Sequence, residues 1–171
     1  MKTSIFFVLF LISQWTFSQV IINGDLVTNT KFKGSPYIGA SGGLVKEMND
    51  GLCLGGNIGI RFFTGSLNGG SAFQLPVMGE ARYFVNRSTD GFYPFANLGF
   101  IFHKYTNKSQ LITIDASGTY LSFALGAGVK VGNVDFSVRY ENIQFKIGRA
   151  DNVGFRVGYW LGNNKGKKRR R

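Results

Sequence analysis

GTYLSFALGAGVKVGNVDFSVRYEN, residues 118–142, decides how the rest of the chain is read. Two alternating runs meet at Gly132 and Asn133, a glycine–asparagine turn signal. In the first run, Thr119, Leu121, Phe123, Leu125, Ala127 and Val129 share one face, and Tyr120, Ser122, Ala124, Gly126, Gly128 and Lys130 share the other. In the second, Val134, Phe136, Val138 and Tyr140 alternate with Asp135, Ser137, Arg139 and Glu141. Successive strand side chains point to opposite faces, so each run has one apolar face and one face that is small or charged. A sheet in water alternates too, but its polar face is rarely so rich in glycine. A barrel wall in lipid turns apolar side chains out and polar ones in, over segments of about ten residues.

Outside this hairpin the same pattern recurs. Residues 36–46, 52–63, 73–85, 92–105 and 153–162 each alternate. Polar or glycine-rich links at 47–51, 64–72, 86–91 and 106–117 separate them, the last with room for a strand extension at 111–114, and 143–151 reads as a loop or as an extension of both flanking strands. Pro76 has no N–H for a ladder and is expected at a bulge or a strand end. The links at 64–72, 106–117 and 143–151 read as long, and those at 47–51, 86–91 and 131–133 as short. Long outer loops and short periplasmic turns alternate in this way in membrane barrels. The strand beginning near Pro36 then has to run inward, which requires an earlier strand. QVIINGDLVTNT at 19–30 is the one candidate, with Val20, Ile22, Leu26 and Thr28 on one face. The expected fold is all-β: an antiparallel up-and-down transmembrane barrel of eight strands.

The ends of the chain differ from its body. Residues 1–18, MKTSIFFVLFLISQWTFS, read as a secretory signal. Lys2 precedes the apolar run 5–12, and Thr16 and Ser18 are small residues at the cleavage positions. That run is too short to cross a bilayer as a helix. The barrel is expected over 19–162, followed by a basic tail at 163–171. The formal net charge of +11 is concentrated there: leaving out the six tail cations and Lys2, 13 basic residues face 9 acidic ones, a balance of +4. Such a tail is a solvated end or a contact for an anionic periplasmic partner. Nucleic-acid binding would need cytosolic residence, which the export signal opposes.

With apolar faces toward lipid, the interior collects Arg61, Glu80, Arg82, Asp135, Arg139, Glu141 and Arg156, with Asn57, Asn97 and His103 among them. Eight strands enclose only enough space for side chains. Unpaired buried charge is costly, so these groups are expected to form an internal ion network that plugs the lumen, with inner glycines making room for it. Glu80, Asp135 and Glu141 are also the candidate general acids or bases. Arginines on the same faces favour structural pairing over catalysis. One histidine and one cysteine offer no metal set and no nucleophile–base triad, so neither a metal nor a cofactor is expected. Cys53 can form no internal disulfide and reads as a small inward residue.

The pattern resembles the small outer-membrane β-barrel family of Gram-negative bacteria, of OmpA-like or OmpX-like architecture. The resemblance covers about 20–162. It is carried by PYIGASGGL at 36–44, LPVMGEARYFV at 75–85, YPFANLGFIF at 93–102, LGAGVKVGNVDFSVRYEN at 125–142 and VGFRVGYWLG at 153–162. It implies residence among outer-membrane lipid, insertion by the outer-membrane assembly machinery and a monomeric barrel. Members commonly end in an aromatic residue that closes the last strand; here Tyr159, Trp160 and Leu161 are followed by the basic tail. The expected role is structural or adhesive, through the outer loops. The alternative is a soluble periplasmic lipocalin-like barrel with its apolar faces inward around an apolar ligand.

Overall fold

The computed structural model describes residues 19–31, 36–48, 50–64, 71–108, 113–145 and 148–161. The signal at 1–18 and the tail at 163–171 lie outside them. The described residues form eight strands: β1 (Gln19–Asn29), β2 (Tyr37–Glu47), β3 (Leu52–Phe63), β4 (Ser71–Tyr83), β5 (Gly91–Lys108), β6 (Thr113–Val131), β7 (Val134–Phe145) and β8 (Gly148–Leu161). Each pairs antiparallel with the next, and β1 pairs with β8, so the sheet closes into a barrel. No helix among the described residues is long and apolar enough to cross a membrane, which says nothing about crossing by strands.

The first strand exists and closes the barrel. Its register with β8 runs from Val20↔Leu161 to Asn29↔Asn152. Both ends of the described barrel, Gln19 and Leu161, therefore lie at one rim, together with the connections at 48–51, 84–90 and 132–133. We call this the turn rim. The other strand ends, Asn29 and Tyr37, Phe63 and Ser71, Lys108 and Thr113, and Phe145 and Gly148, lie at the opposite rim, the open rim.

One expectation about the links is corrected: at 106–108 and 113–117 the chain is strand rather than loop, since β5 runs to Lys108 and β6 starts at Thr113, with pairing maintained to Lys108↔Thr113. Of the two readings of 143–151, the described residues take the strand extension, with Phe145 paired to Gly148. The rims therefore differ in how far the strands project, more than in loop length. The physical reason is that a strand beyond the lipid has no apolar outer face to reveal it. Pro76 marks neither a bulge nor a strand end. It lies within β4, pairs with Ile101 and is buried. Its effect is local: β3–β4 pairing stops after Ile58↔Val77 and resumes in the same register at Arg61↔Gln74.

The faces divide as the alternation requires. Ile58, Phe62, Leu98, Phe100, Leu125 and Val138 are exposed on the outside, while Arg139, Glu141, Asp135 and Lys130 are almost fully buried inside. Single exposed apolar residues are ordinary, but a continuous apolar wall of this kind is stable only against an apolar medium. A lipocalin-like ligand pocket needs the reverse arrangement, so that reading fails on the orientation of the side chains.

Candidate functional site

β1 supplies Asp25, β3 Arg61, β4 Glu80 and Arg82, β7 Asp135, Arg139 and Glu141, and β8 Arg156. All eight are at most 6% exposed. Each reaches the lumen because it shares parity with the inward residues of its strand. The closed sheet then brings the β3–β4 wall opposite the β7, β8 and β1 wall.

Together these residues form one chain of alternating charge. Near the open rim, Arg61 Nη1 donates to Glu141 Oε1 at 2.7 Å and Nη2 to Oε2 at 3.1 Å, a two-pronged pair. Arg139 Nε donates to Glu141 Oε2 at 3.1 Å, and Arg139 Nη1 to Asp25 Oδ1 at 2.9 Å. Arg156 Nε donates to the same Asp25 oxygen at 3.1 Å, and Arg156 Nη1 reaches across to Glu80 Oε2 at 2.9 Å. Arg82 pairs with Glu80 and with Asp135 near the turn rim. The ladder Arg61–Glu141–Arg139–Asp25–Arg156–Glu80–Arg82–Asp135 thus balances four cations against four carboxylates. Charges this deep are tolerated only when paired and hydrogen-bonded, and each link here is both.

Neutral groups complete the carboxylate shells. Ser41 Oγ donates to Asp25 Oδ2 at 3.0 Å, and Asn23 Nδ2 donates to Ser41 Oγ at 3.2 Å. Asn57 Nδ2 donates to Glu80 Oε2 at 3.3 Å, and Asn97, with its amide nitrogen turned toward the acceptors, donates to the same oxygen at 3.1 Å. Trp160 Nε1 donates to Asp135 Oδ2 at 3.0 Å, and the Tyr93 hydroxyl donates to Asp135 Oδ1. His103 lies outside the ladder. It contacts Gln74 at 3.5 Å and stands edge-on to Phe145, near the open rim.

An apolar stopper lies below the ladder. Ile21, Val45, Cys53, Phe84, Tyr93, Phe95 and Trp160 cluster at the turn rim. Phe84 and Tyr93 pack at 4.9 Å, and Arg82 lies 5.1 Å from the Tyr93 ring and 5.2 Å from the Trp160 ring. Lys130 is fully buried here, 4.9 Å from the Trp160 ring, and donates to the Thr89 carbonyl at 2.7 Å. Glycines admit the large side chains. A Cβ on Gly154 would lie 3.0 Å from Arg139 Nε, and one on Gly126 would lie 2.6 Å from Phe95 Cζ. The interior cavity beside Asn23, Asn57, Glu80, Arg82 and Arg156 measures about 10 Å3, room for roughly one water.

The structure brings together all seven of the charged residues expected inside. It adds one that sequence reasoning missed, Asp25, which bridges Arg139 and Arg156. The available signal was parity: Asp25 alternates with Gly24 and Leu26 in the one run whose strand character was weakest. Tyr93, Trp160 and Lys130 were also missed as partners, because ring contacts and hydrogen bonds between distant strands leave no local trace.

Fold and lumen together define a small eight-stranded barrel of the outer-membrane type. No protein-family model matches this sequence, and no curated relative matches it. Solved structures do. The N-terminal β-barrel domain of OprF from Pseudomonas aeruginosa superposes with a TM-score of 0.68 at 12% identity, covering 85% of this chain and 98% of that one. Ail, the attachment invasion locus protein of Yersinia pestis, gives 0.61 at 16% identity, with 84% and 97% covered. The outer membrane enzyme PagL gives 0.52 at 12% identity, with 84% and 99% covered. At these identities the likeness defines the fold alone, and it is the fold that the resemblance implied.

Proposed function

We propose that this chain is an integral protein of a Gram-negative outer membrane, with a lumen plugged by its ion ladder, acting at the surface in a structural or adhesive role. The observation that carries the reading is the inversion of polarity: an apolar wall outside and a balanced, fully buried charge ladder inside. Strands of 11 residues or more meet the roughly 9–11 residues that a tilted strand needs to cross the hydrocarbon. The turn rim then faces the periplasm and the projecting strands face outward. The basic tail, which follows Leu161 at the turn rim, would meet anionic groups on the periplasmic side.

The fold by itself leaves catalysis open, since the similar barrel PagL is an enzyme. The ladder argues against it here. Glu80, Asp135 and Glu141 each accept from at least one arginine and from further donors. A carboxylate so engaged is poorly placed to exchange a proton with a substrate.

The test is membrane fractionation of the full chain, followed by reconstitution. The expected result is extraction from the outer-membrane fraction by detergent alone, and no steady conductance across a planar bilayer. Release by salt or osmotic shock would refute the integral reading. A steady ohmic current would refute the plug.

A further inference from the structure

Register sets the outward side chains of β5 to β8 in rows that cross the strands. Val131, Val134 and Tyr159 form the row at the turn rim. Phe92, Val129, Phe136 and Val157 form the next row, and Pro94, Ala127, Val138 and Phe155 the one above it. In the middle row a valine stands between two phenylalanines. In the upper row Ala127 is the one outward position of β6 from Leu121 to Val131 that carries only a methyl group.

These differences in size cut a recess of about 520 Å3 into the outer wall. Val129 is its entrance, a notch between the rings of Phe92 and Phe136. Ala127 and Gly128 are its floor, and Val138 and Phe155 bound its far side. The one charged residue that borders it, Arg156, is turned inward and committed to Asp25 and Glu80. The recess is therefore apolar and belongs to the outside of the barrel, apart from the ion ladder.

What fills it follows from what covers the wall around it. The recess is continuous with the lipid-facing wall and starts two residues from the strand ends, with Val129 before Val131 and Phe136 after Val134. In the row below, Tyr159 is exposed at the turn rim. Its hydroxyl accepts from Asn133 Nδ2 at 3.3 Å, which leaves its own proton to donate. A tyrosine at the edge of a lipid-facing wall keeps its ring on the apolar side and its hydroxyl at the headgroups. An apolar recess that opens toward such a donor matches the build of a phospholipid, with a hydrocarbon chain on one side and a phosphate on the other.

We propose that this recess holds one resident phospholipid of the periplasmic leaflet. One acyl chain passes over Val129, between Phe92 and Phe136, and ends against Ala127, while the Tyr159 hydroxyl donates to the headgroup phosphate. A chain on a flat wall touches protein on one side only. In the recess it is walled on three sides, and the added dispersion contacts hold this lipid longer than its neighbours. The inference rests on the integral-barrel reading, with the turn rim toward the periplasm, for its leaflet. Its test does not, because the purified barrel presents the recess in any case, whereas fractionation decides that reading.

The probe is dioleoyl phosphatidylglycerol, titrated into the detergent-purified full chain and read by native mass spectrometry. An adduct that saturates at one lipid per barrel is expected. Ala127→Phe fills the floor and should weaken that adduct about tenfold, while Leu125→Phe, outward on the same strand but outside the recess, should stay within about twofold of the parent. Tyr159→Phe removes the phosphate donor and should also weaken it about tenfold. Folding of each variant is checked by heat-modifiable gel migration; should Ala127→Phe fail to fold, Ala127→Leu takes its place. A graded series of adducts without saturation, or equal binding by the Ala127 variant, overturns the proposal. So does a lipid-free dimer that the Ala127 variant disperses, which would make the recess an interface between two copies.

Discussion

Asp25→Asn removes one charge from the middle of the ladder with almost no change of shape. Asp25 accepts from Arg139 at 2.9 Å, from Arg156 at 3.1 Å and from Ser41 at 3.0 Å. An amide cannot accept all three as a carboxylate does, and it leaves four arginines against three carboxylates in a space that is closed to bulk water. Removing one member of a buried pair costs about 3–5 kcal/mol, because the remaining charge stays buried and uncompensated. Arg139 keeps Glu141 and Arg156 keeps Glu80, which places the expected cost at about 3 kcal/mol, the lower end of that range. Urea unfolding in lipid vesicles reads this through Trp160, the one tryptophan among the described residues. With a slope of about 1–3 kcal/mol per molar urea, the midpoint falls by roughly 1–3 M. The decisive comparison is the double variant Asp25→Asn with Arg156→Gln, which restores charge balance and should recover part of the loss. A single variant within about 0.5 kcal/mol of the parent, or a double variant whose losses merely add, would refute the ladder as a coupled unit.

Further predictions concern the two faces. Val138→Arg puts a charge on the lipid side near the middle of β7 and should cost about 2–4 kcal/mol, while Phe136→Arg, nearer the turn rim, should cost less. Equal tolerance of both in folding yield would show that the wall does not face lipid. Gly154→Val drives a branched side chain into Arg139 and should cost about 1–3 kcal/mol. Gly24→Ala, with nothing within 4 Å of the added atom, should leave the unfolding midpoint unchanged. Tyr93→Phe removes a donor to Asp135 and should cost about 1.5–3 kcal/mol in the same urea assay. No shift would separate the aromatic stopper from the ladder.

Much of the fold was legible in single runs of sequence. The direction of a strand side chain is a local property with a period of two, so Leu121, Phe123 and Leu125 declare their face without reference to any other strand. The same rule identified Arg61, Glu80, Arg82, Asp135, Arg139, Glu141 and Arg156 as inward. It misled where its signal disappears: at 106–117 the strands leave the lipid, apolar alternation stops, and a polar ladder looks like a loop.

The sequence by itself determined the strand faces, the strand count and the sign of the lumen's contents, because these depend on neighbours along the chain. The tertiary structure alone decided the partners. Arg61 meets Glu141 across 80 positions, and Arg156 meets Asp25 across 131. Pairings at that range depend on barrel closure and register, which place β1 beside β8 and set β3 and β4 opposite β7. Closure also decided how far each pairing runs: among the described residues β6 pairs with β5 up to Thr113 but with β7 only up to Leu121.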